Sequence, residues 1–306
     1  MLNNETLAMS QEPVIKKVGS FSYDCNNPIS SGAFGEVFRG HDENNPGNDV
    51  AIKVIPISKL MINKRTFDML MREIIILEKI KGEHVVQLKD FKKTANNLYI
   101  IMEYCEGRDL EYHIRTKKVI PEKEAAFIIK QIAKAFVDIA KLNIKDEEGN
   151  NYAVMHRDIK PANILFRKGK IKVADFGFAK LIEEQEKEDK LNHTLLGTPA
   201  YMSPQILNNE KYSYKCDIWS TGIVFYKMLF GTLPWKGVSY KDLYMKIKSE
   251  PLMFPKPISK ETQDLIEKML SFEEENRLSW VEVYNHIALN KDPWAALWSK
   301  YDLITY

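Results

Sequence analysis

Apolar and polar positions interleave with a period of two around residue 52, where Val50, Ile52 and Val54 alternate with Ala51, Lys53 and Ile55. That period predicts a strand, because successive side chains of an extended chain point to opposite faces. Residues 98 to 104, LYIIMEY, form a second strand candidate. Between the two, Leu70, Ile74 and Leu77 fall on one stripe of a helix. After about Gly107 the spacing lengthens. Pro121 stands where a first helical turn begins, Glu122 and Glu124 lie near the positive end of the helix dipole, and Ala125, Ile129, Ile132, Phe136 and Ile139 follow at helical intervals. The run from Ile218 to Phe230 is apolar almost all round and closes with Gly231, the pattern of a buried helix. Two stretches break the pattern with charge: KDEEGNN at 145–151 and EEQEKEDK at 183–190, both expected to be solvated loops. Residues 1–20 are polar without periodicity and are expected to form a flexible leader, with a short tail at 291–306. The chain therefore divides into a small sheet-rich region over about 21–104 and a larger helical region over about 107–290, an α+β organisation without internal repeats.

Composition narrows the function more than the fold. The 306 residues carry a formal net charge of only +2, which gives no electrostatic reason to expect nucleic acid or a membrane surface as partner. No stretch approaches the roughly 18 apolar residues of a membrane span. The three cysteines, Cys25, Cys105 and Cys216, are far apart, which argues against a disulfide framework and a zinc site and fits a reducing compartment. A cytoplasmic location is expected, with a nuclear one as the alternative. An enzyme, a binding module or a scaffold all remain open at this level.

Four segments carry chemistry. SSGAFGEV at 30–37 places Gly32 and Gly35 in a turn whose backbone amides can approach phosphates, although an ordinary hairpin carries two glycines as well. Lys53 ends VAIK on a strand face shared with Ala51, and is either a surface lysine or a buried cation that needs a counter-charge. Glu73 lies on the apolar stripe of the helix, three residues after Leu70 and four before Leu77, and is the natural partner for it. MHRDIKPANILF at 155–166 and VADFGFAK at 173–180 each hold a short polar loop between apolar brackets. Asp158, Asn163, Asp175 and Lys160 supply what phosphoryl transfer needs: a carboxylate to accept a hydroxyl proton, oxygen ligands for magnesium, and a cation for the moving charge.

From about Tyr23 to about Leu289 the sequence resembles the eukaryotic protein kinase family, with the glycine loop, VAIK, REI, HRDIKPAN, DFG, GTPAYMSP, DIWSTG and Arg277 in the family's order. The resemblance implies a bilobal kinase fold, ATP and Mg2+ as cofactors, and protein substrates. It implies that Ile29, Ser30, Gly32 and Gly35 cover the nucleotide, and that Lys53 holds its α- and β-phosphates and pairs with Glu73. Val37, Ala51 and Leu165 would sandwich adenine, Met102 would be the gatekeeper, and Glu103 and Cys105 would offer hinge backbone contacts. Asp158 would be the catalytic base, Asn163 and Asp175 the metal ligands, Lys160 the γ-phosphate contact, and Thr198 the residue steadying Asp158 and Lys160. Leu88, Leu77, Phe176 and His156 match the stacked regulatory spine, anchored by Asp217. Lys160 and GTPAYMSP imply serine/threonine specificity, Phe178 a preference for serine, and Ala162 weak selection for arginine. Thr194, Arg157 and Lys180 would form a phosphorylation switch. DFGFAK, EYCEGRDL and NRLSW are similar to the autophagy-initiating and calcium/calmodulin-type groups. The alternative is a pseudokinase scaffold, from which one of Lys53, Asp158, Asn163 and Asp175 is expected to be missing; all four are present. Three departures stand out: Ser30 in place of the first glycine, the 145–151 insertion, and Gln205 in place of the glutamate expected to pair with Arg277. The last predicts that Arg277 lacks a counter-charge and that Gln205→Glu stabilises the protein.

Overall fold

A computed structural model describes residues 12–32, 35–61, 74–75, 77–142, 144–145, 151–176, 180–183 and 198–290. Glu73, Thr194 and Phe178 lie outside the described residues. The chain divides into two compact units, the first comprising 1–67 with 88–104 and the second 68–87 with 105–306. The segment 68–87, read from the sequence as part of the small region, thus groups with the larger one.

The first unit is a six-stranded antiparallel sheet of order β1-β2-β3-β4-β6-β5. Its strands are β1 Ile15–Val18, β2 Phe21–Ser31, β3 Glu36–Asp42, β4 Asp49–Pro56, β5 Leu88–Lys93 and β6 Asn97–Glu103. A short helix, α1 Ile57–Met61, follows β4. Register sorts the side chains. Phe38, Ile52 and Ile101 lie opposite one another across β3, β4 and β6 and join Tyr23 and Tyr99 in a buried cluster on one face. The Tyr23 and Phe38 rings pack 5.0 Å apart. The other face carries Val37 opposite Lys53, and Ala51 opposite Met102.

β1 corrects the expected leader. Ile15–Val18 pairs with Phe21–Asp24, so the ordered chain begins before residue 20. Its first three residues are exposed, which left no alternation for a periodicity argument to find.

The second unit contains α2 Leu110–Lys117, α3 Glu122–Ala140, β7 Ile144–Lys145, β8 Asn151–Met155, β9 Ile164–Arg167, β10 Lys170–Val173, β11 Lys180–Glu183, α4 Pro204–Leu207 and α5 Lys215–Phe230. α6 Tyr240–Ser249, α7 Lys260–Met269, α8 Trp280–Asn285 and α9 Ile287–Asn290 follow. α3 buries Ala125, Ile129, Ile132, Phe136 and Ile139, as its spacing predicts, and Phe136 stacks on Trp280 at 4.4 Å. α5 is buried on nearly every side. It stops at Gly231, whose left-handed φ of 69° and close approach to the Lys118 carbonyl exclude a Cβ.

Of the two expected loops, residues 146–150 and 184–190 lie outside the described residues, while Lys145, Asn151 and Glu183 are strand. Lys145 pairs with Asn151, and Ile144 with Tyr152. β8 also pairs with β11, Tyr152 opposite Glu183, giving a sheet of order β11-β8-β7. At these three residues a strand partner supplies backbone hydrogen bonds that override a polar composition.

Candidate active site

The second unit brings the polar groups of the HRD segment together on a buried frame. His156 is wholly buried. Its Nδ1 accepts from the Asp158 amide at 3.2 Å, so Nε2 carries the proton and donates to the Ala174 carbonyl at 3.0 Å. The ring also meets Phe176 edge-on at 4.7 Å. Asp217, in the first turn of α5, accepts the backbone amides of His156 at 2.7 Å and Arg157 at 2.8 Å. Burial pushes the Asp217 carboxyl up, and these two amides oppose the shift. Arg157 itself sits at φ 66°, a left-handed conformation costly for a side chain of that kind.

Asp158, 4% exposed, faces inward from this loop. Its Oδ2 accepts Lys160 Nζ at 2.7 Å and Asn163 Nδ2 at 3.0 Å. Asn163 Nδ2 also reaches the Asp158 carbonyl at 2.8 Å, which commits the amide nitrogen to Asp158 and assigns the amide oxygen to any ligand. Lys160 Nζ continues to Thr198 Oγ1 at 3.3 Å. The Asn163 carbonyl accepts the Ala174 amide at 2.9 Å, tying the loop to the chain that presents Asp175. That aspartate is exposed, at φ 61°. The end of β10 is fixed independently, since Val173 exchanges backbone hydrogen bonds with His84 at 2.8 Å and Val86 at 2.9 Å. Among the described residues, the buried carboxylate thus accepts from a cation and an amide, and that cation reaches a hydroxyl.

In the first unit Gly32 N donates to Gly35 O at 2.9 Å, closing the glycine turn between β2 and β3. A Cβ on Gly35 would lie 2.0 Å from the Val54 carbonyl oxygen, so the position admits only glycine. Ser30 pairs with Val37 in this hairpin, and Ile29 is half exposed beside it. Val37, Ala51, Lys53 and Met102 share the sheet face opposite the aromatic cluster, and Glu103 is buried at the end of β6.

The sequence also matches the protein kinase domain model over residues 23–288. The chain belongs to the protein kinase family. Its curated relatives include serine/threonine-protein kinase ULK3 of Homo sapiens, 33% identical over 88% of this chain and 54% of that protein. Serine/threonine-protein kinase atg1 of Dictyostelium discoideum is 34% identical over 90% of this chain and 40% of that protein. Serine/threonine-protein kinase ULK1 of Homo sapiens is 31% identical over 90% of this chain and 26% of that protein. The chain thus spans about half or less of the length of these relatives.

Within this kinase domain the second unit assembles Asp158, Lys160, Asn163 and Thr198 through direct hydrogen bonds. Leu165 lies half-buried in β9, Cys105 is half-buried, and Lys180 begins β11. Glu73 and Thr194 belong to the undescribed segments, so neither the Lys53 pair nor the switch has a geometry here.

One expectation is overturned. Arg277 is 1% exposed and does not lack a counter-charge: a Glu274 carboxylate oxygen lies 3.7 Å from Nη1. Nη2 donates to Gln205 Oε1 at 3.0 Å, and the guanidinium packs 5.2 Å from the Trp219 ring centroid. Burial holds the guanidinium down to about 10, against the pull of Glu274. Gln205 also uses its other end, donating Nε2 to the Phe272 carbonyl at 2.8 Å. A glutamate there sets a carboxylate oxygen against that carbonyl. Gln205→Glu is therefore expected to lower the melting temperature, by roughly 1 kcal/mol of stability or more, and a rise in thermal denaturation scans would refute this.

Sequence reasoning missed Glu274 and the pairing of Lys227 with Glu111. A signal existed for each. Glu274 precedes Arg277 by three residues in a run of acids, and Lys227 is the lone cation in the apolar run 218–230.

Proposed function

We propose that this chain is an ATP-dependent serine/threonine protein kinase that transfers the γ-phosphoryl group of Mg-ATP to protein hydroxyls, serine preferred. The observation that carries the reading is the Asp158 carboxylate, buried and held at 2.7 Å from Lys160, on a loop pinned by Asp217. A solvated surface aspartate needs none of this. Asp158 accepts the proton as the substrate oxygen bonds to the γ-phosphorus and the bond to the β–γ bridging oxygen breaks, releasing ADP. Lys160 balances the charge on the transferring group and keeps Asp158 oriented. Thr198 fixes Lys160 in turn.

Magnesium suits the donor set. The Asn163 amide oxygen and the Asp175 carboxylate are hard oxygen ligands, and a two-ligand protein contribution is the usual arrangement for an ion that retains waters and phosphate oxygens. When bound, the ion neutralises phosphate charge. Lys53, Gly32 and Gly35 would hold the phosphates, with Val37, Ala51 and Leu165 on adenine and the Glu103 and Cys105 backbone at its edge.

Incubation with magnesium and labelled ATP tests the reading. Label is expected in a generic protein substrate and in the chain itself; a fully folded protein that transfers none would leave a signalling scaffold. Peptides differing only in the acceptor are expected to favour serine over threonine, and a threonine-dominated profile would reject that part.

Regulation belongs to the same proposal. A phosphate on Thr194 adds about −1.5 to −2 charge and accepts charge-assisted hydrogen bonds from Arg157 and Lys180. Thr194→Ala is expected to match phosphatase-treated wild type, with activity down roughly ten-fold or more. Full activity of the alanine variant, with no phosphate found on Thr194, would remove the switch.

A further inference from the structure

A charged residue on the apolar helix α5 calls for an explanation. Lys227 lies in its last turn with a side chain only 17% exposed. Its ammonium donates to both oxygens of Glu111, at 2.9 and 2.7 Å, and to the Tyr201 hydroxyl at 3.1 Å. The Glu111 side chain is 44% exposed, so the carboxylate is the part that reaches solvent. Burial of Lys227 disfavours its charge, and the Glu111 and Tyr201 hydrogen bonds more than restore it. The trio is net neutral, +1 from Lys227 and −1 from Glu111.

Its position relates it to the reaction. Asp158 contacts Lys160, and Lys160 contacts Thr198. Thr198 starts a single 3-10 turn, Pro199–Tyr201, whose Tyr201 amide donates back to the Thr198 carbonyl at 3.0 Å. At about 2 Å of rise per residue, that turn carries the surface roughly 6 Å from Thr198 to Tyr201. An extended peptide covers about 3.3 Å per residue. That step equals about two residues of extended peptide, so the positions flanking the phosphoacceptor are those at which the Tyr201–Lys227–Glu111 trio would be read.

The neighbouring carboxylates are engaged as well. Asp109 caps α2 through the Tyr112 amide at 2.7 Å, and Glu106 accepts the Lys168 amide at 2.9 Å. Two cations stand close by: Arg108, just before α2, and Arg115 within it, 5.4 and 5.8 Å from the Tyr112 ring centroid. Over residues 106–117 the carboxylates of Glu106, Asp109 and Glu111 are matched by the cations Arg108, Arg115 and Lys117, so the stretch offers no net negative charge to a substrate.

We propose that Lys227 is a specificity-determining residue: by neutralising Glu111 it prevents the surface beside the catalytic loop from selecting arginine or lysine near the phosphoacceptor. The substrates favoured are peptides with neutral or acidic flanks. This rests on the protein kinase activity proposed above and explains why a carboxylate stands at the surface without attracting basic sequences.

The test uses the whole chain and peptides with a fixed serine acceptor, varied one flanking position at a time among arginine, glutamine and glutamate. The quantity read is the ratio of kcat/KM for the arginine and glutamine peptides. In Lys227→Gln, which keeps a donor for Tyr201 but leaves the trio at −1, this ratio is expected to rise about three- to ten-fold at one or two positions, chiefly through KM. Adding Glu111→Gln should cancel the rise. Glu111→Gln alone, at a site exposed enough to tolerate it, leaves Lys227 unopposed and should instead raise the glutamate-to-glutamine ratio. Unchanged ratios in both single variants would overturn the proposal, as would a rise that survives in the double variant. Absence of transfer by the wild type would overturn the underlying activity instead, a separate result.

Discussion

Asp158→Asn is expected to reduce kcat by a factor of about 10² to 10⁴ while leaving the melting temperature nearly unchanged. The substitution is close to isosteric, and the hydrogen bonding at Asp158 explains why the structure tolerates it. Both side-chain donors, Lys160 Nζ and Asn163 Nδ2, converge on a single oxygen, Oδ2. An asparagine carbonyl oxygen in that place still accepts both. What disappears is a basic oxygen able to take the substrate proton, together with the negative charge that balances Lys160. The loss belongs in kcat, since neither nucleotide nor peptide binding draws directly on that proton acceptor. Steady-state kinetics beside a thermal melt separate the two effects. An asparagine variant within a few-fold of the wild-type kcat would show that Asp158 is not the base.

How far the sequence disclosed the molecule depends on where each signal originates. β4 was legible because a half-buried strand prints its burial as alternation, β6 because a short apolar run marks a strand buried on both faces, and α3 because its buried positions recur at helical spacing. The catalytic loop was legible for a different reason: Asp158, Lys160 and Asn163 are polar residues enclosed by apolar ones, an arrangement that a surface loop does not need. β1 was not legible. It is an edge strand with its first three residues exposed, formed because Phe21–Asp24 offers a partner. Lys145, Asn151 and Glu183 likewise have a composition that says loop and become strand through the partner each one meets. The Arg277 error was of another kind. The ion pair is expected at one position, Gln205, whereas the charge comes from Glu274 in the 3-10 turn immediately before the arginine. A buried guanidinium fixes how much negative charge must be near it, and leaves open which residue provides it.

Asp217→Ala is expected to impair both stability and turnover, and the joint loss is what distinguishes an anchor from a packing residue. The carboxylate is 1% exposed, and each of its oxygens accepts one backbone amide, His156 on Oδ2 and Arg157 on Oδ1. Alanine leaves both amides without these acceptors. At about 1–3 kcal/mol for each buried group left unsatisfied, the cost is roughly 2–6 kcal/mol, several degrees or more in melting temperature. Arg157 makes the local consequence sharper. Its left-handed backbone, φ 66°, is unfavourable for a side chain with a Cβ and persists only while neighbouring bonds hold it. Asp158 follows directly, and its own amide donates to the His156 ring, so a relaxed 156–157 segment moves the base. A displacement on the order of 1 Å is enough to cost about 10²-fold in rate. Asp217→Asn should fall between wild type and alanine, because its amide oxygen can accept one backbone N–H while its NH2 opposes the other. Denaturation and kcat measured on both variants decide the matter. A stability loss with kcat preserved at a temperature where the variant is folded would make Asp217 a structural residue only, and loss of neither would mean that the two amides do not depend on it.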